Sequence, residues 1–387
     1  MNPIQKNLIL LLCLASTLLP SFTLNAAQLT HSAARQIQQA YQLQNKEQYA
    51  KAITLLKEIN TSNQYDQAYI NRMLGWLYWQ QKQPTRAIQA LIKAVDAKIL
   101  SQDEALSSRR MLADLLLSEG KYQSAESYYL SLLKEYQDSI TLSQLWLRVA
   151  QTQYQQQKWP QVETSIGKLL KYQKQVQVTP LNMLLTAQLQ QKKWLKAIST
   201  TRLIRNIEPT NIIWWQQLSN LYLYINDTKN ALITLQQADR AGLKLSQQEK
   251  ELMANLYAQA DVPFNAATLY QNFDSLTVSE AQLQRQAIYW QSAKEWDKAI
   301  VTWTKATKFN TKYYWQIAVS NLQLNRYQAT LDALKQLPNK TNQMLLLEVQ
   351  ALNELGKTDL ALATAQQAHK QQSTSSSLNW IKYLSSK

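Results

Sequence analysis

The length and composition of this chain exclude two broad classes of protein. It has 387 residues, of which 45% are hydrophobic, and this is too apolar for an intrinsically disordered chain. Only 5 Gly and 8 Pro occur, which is too little turn chemistry for an all-β fold and is typical of long helices with short connections. The formal net charge of +15 favours acidic partners, although the lysines are scattered and no block of five like charges occurs.

The N-terminus has the three regions of a secretory signal peptide. Lys6 supplies a positive charge, Leu8–Leu19 form an apolar stretch, Pro20 interrupts it, and small residues follow at Ala26 and Ala27. We therefore predict a signal peptide over residues 1–27, cleaved after Ala26 or Ala27, and a periplasmic mature chain. The apolar stretch is short for a membrane span of about 20 residues, which disfavours an uncleaved anchor but leaves that alternative open. Export also argues against nucleic acid as a partner.

The residues needed for most catalytic and metal sites are scarce. Cys13 is the only cysteine and lies in the predicted signal peptide, so disulfides, thiolate catalysis and cysteine-bound metals are excluded from the mature chain. The two histidines, His31 and His369, lie near opposite ends. The carboxylate pair Asp103-Glu104 is interpreted as the acidic start of a helix, where it favours the helix dipole. We therefore expect no enzyme activity, no metal and no cofactor.

An internal repeat organises the rest of the chain. Each copy has a small or apolar residue followed twelve positions later by an alanine or a similar residue. The ten pairs are Ala40/Ala52, Gly75/Ala87, Ala113/Ala125, Ala150/Val162, Leu185/Ala197, Ser219/Ala231, Ala254/Ala266, Ala287/Ala299, Ala318/Thr330 and Val349/Ala361. They recur at intervals of 31 to 38 residues. This pattern predicts pairs of antiparallel helices that cross closely at the small residues.

Further residues support this register. An aromatic residue or proline lies three positions before the second member in eight copies, where it would start the second helix and fill the space beside the next repeat. These residues are Tyr49, Pro84, Tyr122, Trp159, Trp194, Pro263, Trp296 and Tyr327. Gly120 and Gly356 fall between the two helices of a copy, where a positive φ is easiest for glycine.

The clearest copy has Trp215, Leu218, Ser219 and Tyr222 in its first helix and Ala231 in its second. This pattern resembles the tetratricopeptide repeat (TPR) family over roughly residues 33 to 370. The resemblance implies an all-α fold: a TPR α-solenoid of about ten helix–turn–helix repeats that forms a right-handed superhelix. We predict the array over residues 28–372, with repeats starting near residues 33, 68, 106, 143, 178, 212, 247, 280, 311 and 342. Residues 373–387 are predicted to form a C-terminal cap helix or tail.

In such an array the first helices line a groove, and their side chains that do not pack between helices face it. The candidate partner-binding residues in the N-terminal half are Arg72, Trp76, Trp79, Arg110, Asp114, Arg148, Gln151 and Tyr154. Those further along are Asn220, Tyr224, Asn255, Trp315 and Gln323. Aromatic and arginine side chains carry much of the energy at protein interfaces, so Arg72, Trp76 and Trp79 are the leading candidates. Packing of these three against the next repeat or the N-terminal cap is the open alternative.

A narrower resemblance covers Trp214 to Tyr270. This stretch has a Trp-rich first helix, an exit from Ala238 to Gly242, and Pro263 shortly before a pair of alanines. It resembles the periplasmic TPR proteins that accompany TonB–ExbB–ExbD energy-transducing systems in Gram-negative bacteria. The resemblance implies a non-catalytic protein–protein interaction scaffold that serves TonB-dependent uptake, such as iron–siderophore or haem import, with TonB, ExbB or ExbD components as partners.

A second hypothesis is a cell-wall or polysaccharide-assembly factor that binds glycan or a synthase through its groove. Aromatic faces suit sugar rings and amides suit hydroxyls, and the groove is predicted to hold both. A third hypothesis, an outer-membrane assembly adaptor, would usually need a lipid anchor, which Cys13 inside the apolar stretch does not supply.

Overall fold

The computed structural model describes residues 29–173, 175–271, 273 and 278–386. The predicted signal peptide over residues 1–27 therefore lies outside the described residues. Within them, all regular secondary structure is helical, which confirms the all-α prediction. No helix in these residues is long and apolar enough to cross a bilayer.

Within the described residues the helices alternate as the first and second members of ten helix–turn–helix pairs, as predicted, and one further helix follows. The first helices are α1 (His31–Asn45), α3 (Gln64–Gln80), α5 (Gln102–Ser118), α7 (Ser139–Gln155), α9 (Val178–Gln190), α11 (Ile212–Tyr224), α13 (Gln247–Gln259), α15 (Glu280–Ser292), α17 (Tyr314–Gln323) and α19 (Asn342–Glu354). The second helices are α2 (Tyr49–Glu58), α4 (Pro84–Asp96), α6 (Tyr122–Leu132), α8 (Trp159–Tyr172), α10 (Trp194–Ile207), α12 (Thr228–Arg240), α14 (Pro263–Gln271), α16 (Trp296–Ala306), α18 (Tyr327–Lys335) and α20 (Thr358–Gln371). The last helix is α21 (Ser375–Ser385), and a short 3₁₀ turn, Thr311–Tyr313, precedes α17.

The chain divides into two compact units, Met1–Lys196 and Ala197–Lys387, which we call unit 1 and unit 2. The boundary falls inside α10. Each unit has its own apolar clusters, because no single helix pair can bury its apolar side without a neighbour. The largest fully buried side chains of unit 1 include Ile37, Leu56, Tyr69, Met73, Leu77, Leu91, Leu112, Tyr129, Leu132 and Leu145. In unit 2, Trp290 and Trp303 are the two largest.

The small residues lie where the two helices of a pair cross, as the repeat predicts. A Cβ atom on Gly75 would lie 2.5 Å from Cγ of Leu91 and 3.4 Å from the carbonyl oxygen of Ala87. In unit 2, the buried Ser219 hydroxyl donates a hydrogen bond of 3.3 Å to the carbonyl oxygen of Ala231. Larger side chains at these positions would push the helices apart.

All ten turns within the helix pairs share one backbone conformation. Gly120 and Gly356 have φ of +72° and +70°, which confirms the prediction for both. Eight other residues occupy the same left-handed position: Glu47, Lys82, Gln157, Lys192, Asn226, Asp261, Lys294 and Asn325. The next amide donates to a carbonyl five residues earlier, as Lys121 does to Leu116 at 2.8 Å, so the end of each first helix is capped.

In unit 1 an acidic residue of a second helix is tied to the turn of the next pair. Glu126 of α6 receives a bond of 2.8 Å from Nζ of Lys158, and Glu163 of α8 receives one of 2.6 Å from Nζ of Lys193. Both carboxylates are largely buried. These contacts fix neighbouring pairs in register.

Candidate functional site

Three consecutive first helices of unit 1, α3, α5 and α7, carry most of the predicted partner-binding residues. We call the surface formed by Trp79, Arg110, Asp114, Arg148 and Gln151 the unit 1 face. Asp114 and Gln151 lie at equivalent repeat positions, one residue after the small residue at the crossing of α5 and of α7. Trp79 is 38% exposed, and the other four are partly exposed.

The side chains of α5 and α7 are joined to each other across the unit 1 face. Nη2 of Arg110 donates to Oε1 of Gln144 at 2.7 Å. Nε of Arg148 lies 3.4 Å from Oδ1 of Asp114, which also accepts a bond of 2.5 Å from the hydroxyl of Tyr129. Burial and then the Asp114 carboxylate raise the pKa of Tyr129, so its hydroxyl stays a donor at neutral pH. Because these contacts already restrict the side chains, little rotamer entropy would be lost when a partner binds, as is expected of a preorganised surface.

Arg72 lies beneath this surface, with only 5% of its area exposed. Nη2 donates to Oγ of Ser107 at 3.2 Å, and Nη1 lies 3.9 Å from the buried carboxylate of Glu104. The hydroxyl of Tyr65 donates to the same carboxylate at 2.8 Å. Burial lowers the pKa of Arg72, while burial and the bond to Glu104 raise the pKa of Tyr65. This cluster joins α3 to α5, and a partner at the surface would reach little of it.

The two leading tryptophans, Trp76 and Trp79, lie in different environments. Trp76 is 8% exposed, and its ring meets that of Tyr49 edge to face at 5.8 Å. Tyr49 is the first residue of α2, so this contact packs one helix pair against the next. Trp79 lies one turn further along α3 and is the exposed member of the two.

Gln151 and Tyr154 continue the row along α7. Nη1 of Arg148 donates to Oε1 of Gln151 at 3.1 Å. Tyr154 meets Trp159 of α8 edge to face at 5.4 Å, so part of its ring is used in packing within its own helix pair.

The predicted residues of unit 2 lie in different environments. Tyr224 is 64% exposed at the end of α11, and Asn220 and Gln323 are also exposed. Asn255 accepts a bond of 2.8 Å from the hydroxyl of Tyr289 on the next first helix. Trp315 is partly buried against the apolar cluster around Trp303.

Polar contacts also join other first helices of unit 2. Glu251 of α13 accepts a bond of 2.6 Å from Nε2 of Gln282 on α15 and lies 3.4 Å from Nη1 of Arg285. Ahead of α17, the hydroxyl of Tyr313 donates to Glu280 at 2.6 Å. Burial and then this bond raise the pKa of Tyr313 to about 12.

Between α11 and α13 of unit 2 there is a cleft of about 310 Å³. We call it the amide cleft. Its lining includes Gln216, Asn220, Gln248, Glu249 and two leucines, Leu235 and Leu252.

Sequence reasoning named Asn220 but missed the other members of the amide cleft and the carboxylate beneath Arg72. Glu104 carried a local signal, since Ser101 and Glu104 form a capping box at the start of α5. Its contact with Arg72 depends on how α3 and α5 pack.

In the described residues, no three His, Cys, Asp or Glu side chains are grouped so as to hold a metal ion.

Part of the repeat array matches a known family of repeats. A family model for the tetratricopeptide repeat matches residues 37–103 and, in an overlapping match, residues 72–140. The matched residues run from α1 into α7, which confirms tetratricopeptide repeats in this part of unit 1. No curated protein sequence matches the chain.

Solved structures give distant likenesses. The chain is 14% identical to a tetratricopeptide repeat protein from Parabacteroides merdae, over 67% of this chain and 99% of that one, with a TM-score of 0.38. The C-terminal part of a TPR repeat-containing protein from Cytophaga hutchinsonii is 14% identical, over 71% and 95%, with a TM-score of 0.39. The APC/C hetero-tetramer Cut9–Hcn1 gives 14% identity over 91% and 83%, with a TM-score of 0.29. These values are too low to transfer a function to this chain.

Proposed function

We propose that this protein is a non-catalytic scaffold that binds other proteins through the surfaces of its first helices. The observation that carries the proposal is the unit 1 face, where α5 and α7 hold Arg110, Asp114 and Arg148 by contacts between neighbouring helices. These contacts order the side chains before a partner arrives, so less conformational entropy is lost on binding.

The composition of the unit 1 face also suits a protein partner. It combines an exposed tryptophan, Trp79, with the guanidinium groups of Arg110 and Arg148, and these residue types contribute most at protein interfaces. Arg110 makes no ion pair with a described residue, so it remains available to an acidic side chain.

The finer proposal is that the scaffold works in the periplasm as an accessory of TonB-dependent energy transduction. Support comes from the resemblance of Trp214–Tyr270, a stretch that forms α11 to α14 of unit 2. Several residues that carry this resemblance have packing roles, since Ala238, Ala266 and Ala267 are fully buried and Gly242 has φ of +75°. The resemblance therefore rests largely on residues that pack the helices of this segment. It does not identify the partner, which has to be found by experiment.

The test is in-cell crosslinking of the tagged protein in its native host, followed by purification from the envelope fraction and mass spectrometry. Enrichment of TonB, ExbB or ExbD supports the finer proposal. Enrichment of other envelope proteins retains the scaffold and rejects the TonB link. Recovery of peptidoglycan with no enriched protein rejects both and favours the glycan-binding alternative.

The contact surface can be tested in the same experiment. Arg110→Ala together with Trp79→Ala removes two members of the unit 1 face. Phe309→Ala, which removes an exposed aromatic residue of unit 2 outside the predicted binding residues, is the matched control. The proposal expects the first variant to lose the crosslinked partner and the control to keep it.

A further inference from the structure

Positive charge is concentrated in the turns that join the two helices of each pair in unit 1. These five turns cover residues 46–51, 81–86, 119–124, 156–161 and 191–196, and we call them the basic edge. They contain nine cations and two acidic residues, Glu47 and Glu119. The cations are Lys46, Lys51, Lys82, Arg86, Lys121, Lys158, Lys192, Lys193 and Lys196.

The turns of the basic edge lie side by side. Nζ of Lys158 lies 2.8 Å from a carboxylate oxygen of Glu126, near the start of α6, and Nζ of Lys193 lies 2.6 Å from one of Glu163, near the start of α8. The turn of one pair is therefore in contact with the beginning of the second helix of the pair before it. Since the pairs of a repeat array stack in the same orientation, their turns share one edge.

Most of the cations of the basic edge are not neutralised by the protein. Three are in ion pairs, Lys158 with Glu126 and both Lys193 and Lys196 with Glu163. The other six are exposed and form no ion pair with a described residue: Lys46, Lys51, Lys82, Arg86, Lys121 and Lys192. Their charge is available to an external anion.

Some of these cations are placed against the preference of the helices that carry them. None of the second helices α2, α4, α6, α8 and α10 has an acidic residue in its first turn. Three have a cation as their third residue: Lys51, Arg86 and Lys196. The first helices α3 and α5 instead have Asp66 and Asp103 in their first turns, as the helix dipole favours. The cations at the basic edge therefore cost the helices stability and favour an anionic partner.

The corresponding turns of unit 2 do not share this charge. They cover residues 225–230, 260–265, 293–298, 324–329 and 355–360, and they contain five cations and five acidic residues. The cations are Lys229, Lys294, Lys298, Arg326 and Lys357, and the acidic residues are Asp227, Asp261, Glu295, Asp297 and Asp359. The excess of positive charge is therefore a property of unit 1 and does not follow from the repeat itself.

We propose that the basic edge docks unit 1 onto an anionic lipid surface. Eight of its nine cations are lysines, and the ammonium group of lysine is a point charge on a flexible stem. Such charges suit a layer of headgroups, whereas arginine is the residue that recognises a single carboxylate or phosphate with two hydrogen bonds. The cations are also spread along five turns, as contact with an extended surface requires.

An exposed leucine among the lysines favours lipid over an acidic protein. Leu195 is 72% exposed and follows Lys192 and Lys193, with Lys196 next to it. An aliphatic side chain at this place can enter the boundary between headgroups and acyl chains while the ammonium groups stay in the headgroup layer. An acidic polymer in water would satisfy the charges but would give Leu195 no apolar phase.

This inference goes beyond the proposed scaffold function. The basic edge has no residue in common with the unit 1 face, so a protein partner and a lipid surface would contact different side chains. The crosslinking experiment can therefore fail while lipid binding succeeds, and the reverse.

The test is flotation of the protein, purified from its native host, with vesicles of two compositions. One contains equal parts of phosphatidylglycerol and phosphatidylcholine, and the other contains phosphatidylcholine alone. We expect binding to the anionic vesicles and at least tenfold weaker binding to the neutral ones. All variants share the same N-terminus, so differences between them report the basic edge.

The decisive variant combines Lys82→Gln, Lys121→Gln and Lys192→Gln. Glutamine is already accepted at these places, since Gln157 and Gln83 stand at equivalent positions in other turns. Binding to anionic vesicles should weaken about a hundredfold, because each lysine near such a surface contributes a factor of about five. The melting temperature of each variant controls for folding.

The matched control removes the same charge from unit 2. It combines Lys229→Gln, Lys294→Gln and Lys357→Gln, all exposed lysines of the corresponding turns. We expect its affinity for anionic vesicles to stay within about twofold of the wild type, since distant charges are screened beyond a Debye length of about 8 Å.

A second pair of variants tests the apolar contact. Leu195→Ser should weaken binding to anionic vesicles about tenfold, because a leucine side chain is withdrawn from the acyl boundary. Leu360→Ser, at a leucine that is 58% exposed in the last turn of unit 2, should leave the affinity unchanged.

Three results would overturn the inference. Equal binding to both kinds of vesicle would show that lipid charge has no role. An equal loss in the two triple-lysine variants would show that net charge attracts the protein without a defined surface. Binding of soluble polyglutamate as tight as that of anionic vesicles, with Leu195→Ser unchanged in both, would assign the basic edge to an acidic protein instead.

Discussion

Gly75 of α3 and Leu91 of α4 lie so close that a Cβ on the glycine would stand 2.5 Å from Cγ of the leucine. Both residues belong to the crossing of the second helix pair, and Leu91 is fully buried. The backbone of α3 thus forms part of the packing surface for α4, and glycine is the residue that allows this approach.

Gly75→Ala should therefore destabilise unit 1. The added methyl group cannot be accommodated without moving Leu91 or separating α3 from α4, and overpacking of this kind typically costs about 1–3 kcal/mol. Urea unfolding followed by circular dichroism measures the change. Stability equal to the wild type would show that the crossing of α3 and α4 has room for a methyl group.

Gly120→Ala should destabilise for a different reason. Gly120 has φ of +72°, a conformation in which an L-residue costs about 1–2 kcal/mol, and only the Tyr122 side chain lies within 4 Å of an added Cβ. Gly167→Ala is the matched control: Gly167 lies within α8, has no positive φ and has no atom within 4 Å of an added Cβ. The control should stabilise by about 0.5–1 kcal/mol, because alanine is the better helix residue. If both variants changed the free energy of unfolding in the same direction, this explanation would be contradicted.

Trp76→Ala and Trp79→Ala should differ. Trp76 is 8% exposed and packs on Tyr49, so its loss should lower the free energy of unfolding by about 3–5 kcal/mol. Trp79 is 38% exposed, and its loss should cost less than about 1 kcal/mol while weakening capture of the crosslinked partner. Equal stabilities of the two variants would count against the assignment of Trp76 to the interior.

Glu126 should make unit 1 sensitive to acid. Burial alone would raise the pKa of Glu126, but hydrogen bonds from Lys158, Gln153 and Gln156 outweigh it, so the pKa lies below its ordinary value of 4.5. A depressed folded-state pKa stabilises the fold above pH 4.5, and this contribution is lost as the pH falls through the lower folded-state value.

The measurement is the free energy of unfolding at pH 7 and at steps from pH 5 to pH 3. Glu126→Gln should cost about 1 kcal/mol at pH 7 and should lose less stability than the wild type on acidification. Glu119→Gln, at an exposed carboxylate with no ion pair among the described residues, should follow the wild-type curve. If Glu126→Gln also follows it, the carboxylate of Glu126 is not a source of the acid sensitivity.

The local sequence determined the helix pairs and two of their turns. Small residues twelve positions apart, such as Gly75 and Ala87, predict a close crossing because only small side chains allow it, and glycine at 120 and 356 predicts a positive φ. In five of the other eight turns the residue at this position has no such preference: Glu47, Lys82, Gln157, Lys192 and Lys294. Residues such as Lys82 and Lys294 adopt the same conformation because the capping bonds and the packed helices on either side of the turn impose it.

The tertiary structure decides which of the predicted binding residues reach the surface. Arg72 and Trp76 occupy groove positions in the repeat, yet both are buried, because Glu104 and Tyr49 come from neighbouring helices to meet them. The amide cleft has a similar origin: Leu252 stands where α7 carries Arg148, which pairs with Asp114, so Asn220 has no such charged partner across the gap. A repeat pattern specifies what lies within one helix pair, whereas burial and pairing between repeats depend on two sequence segments about 35 residues apart, and only packing brings those together.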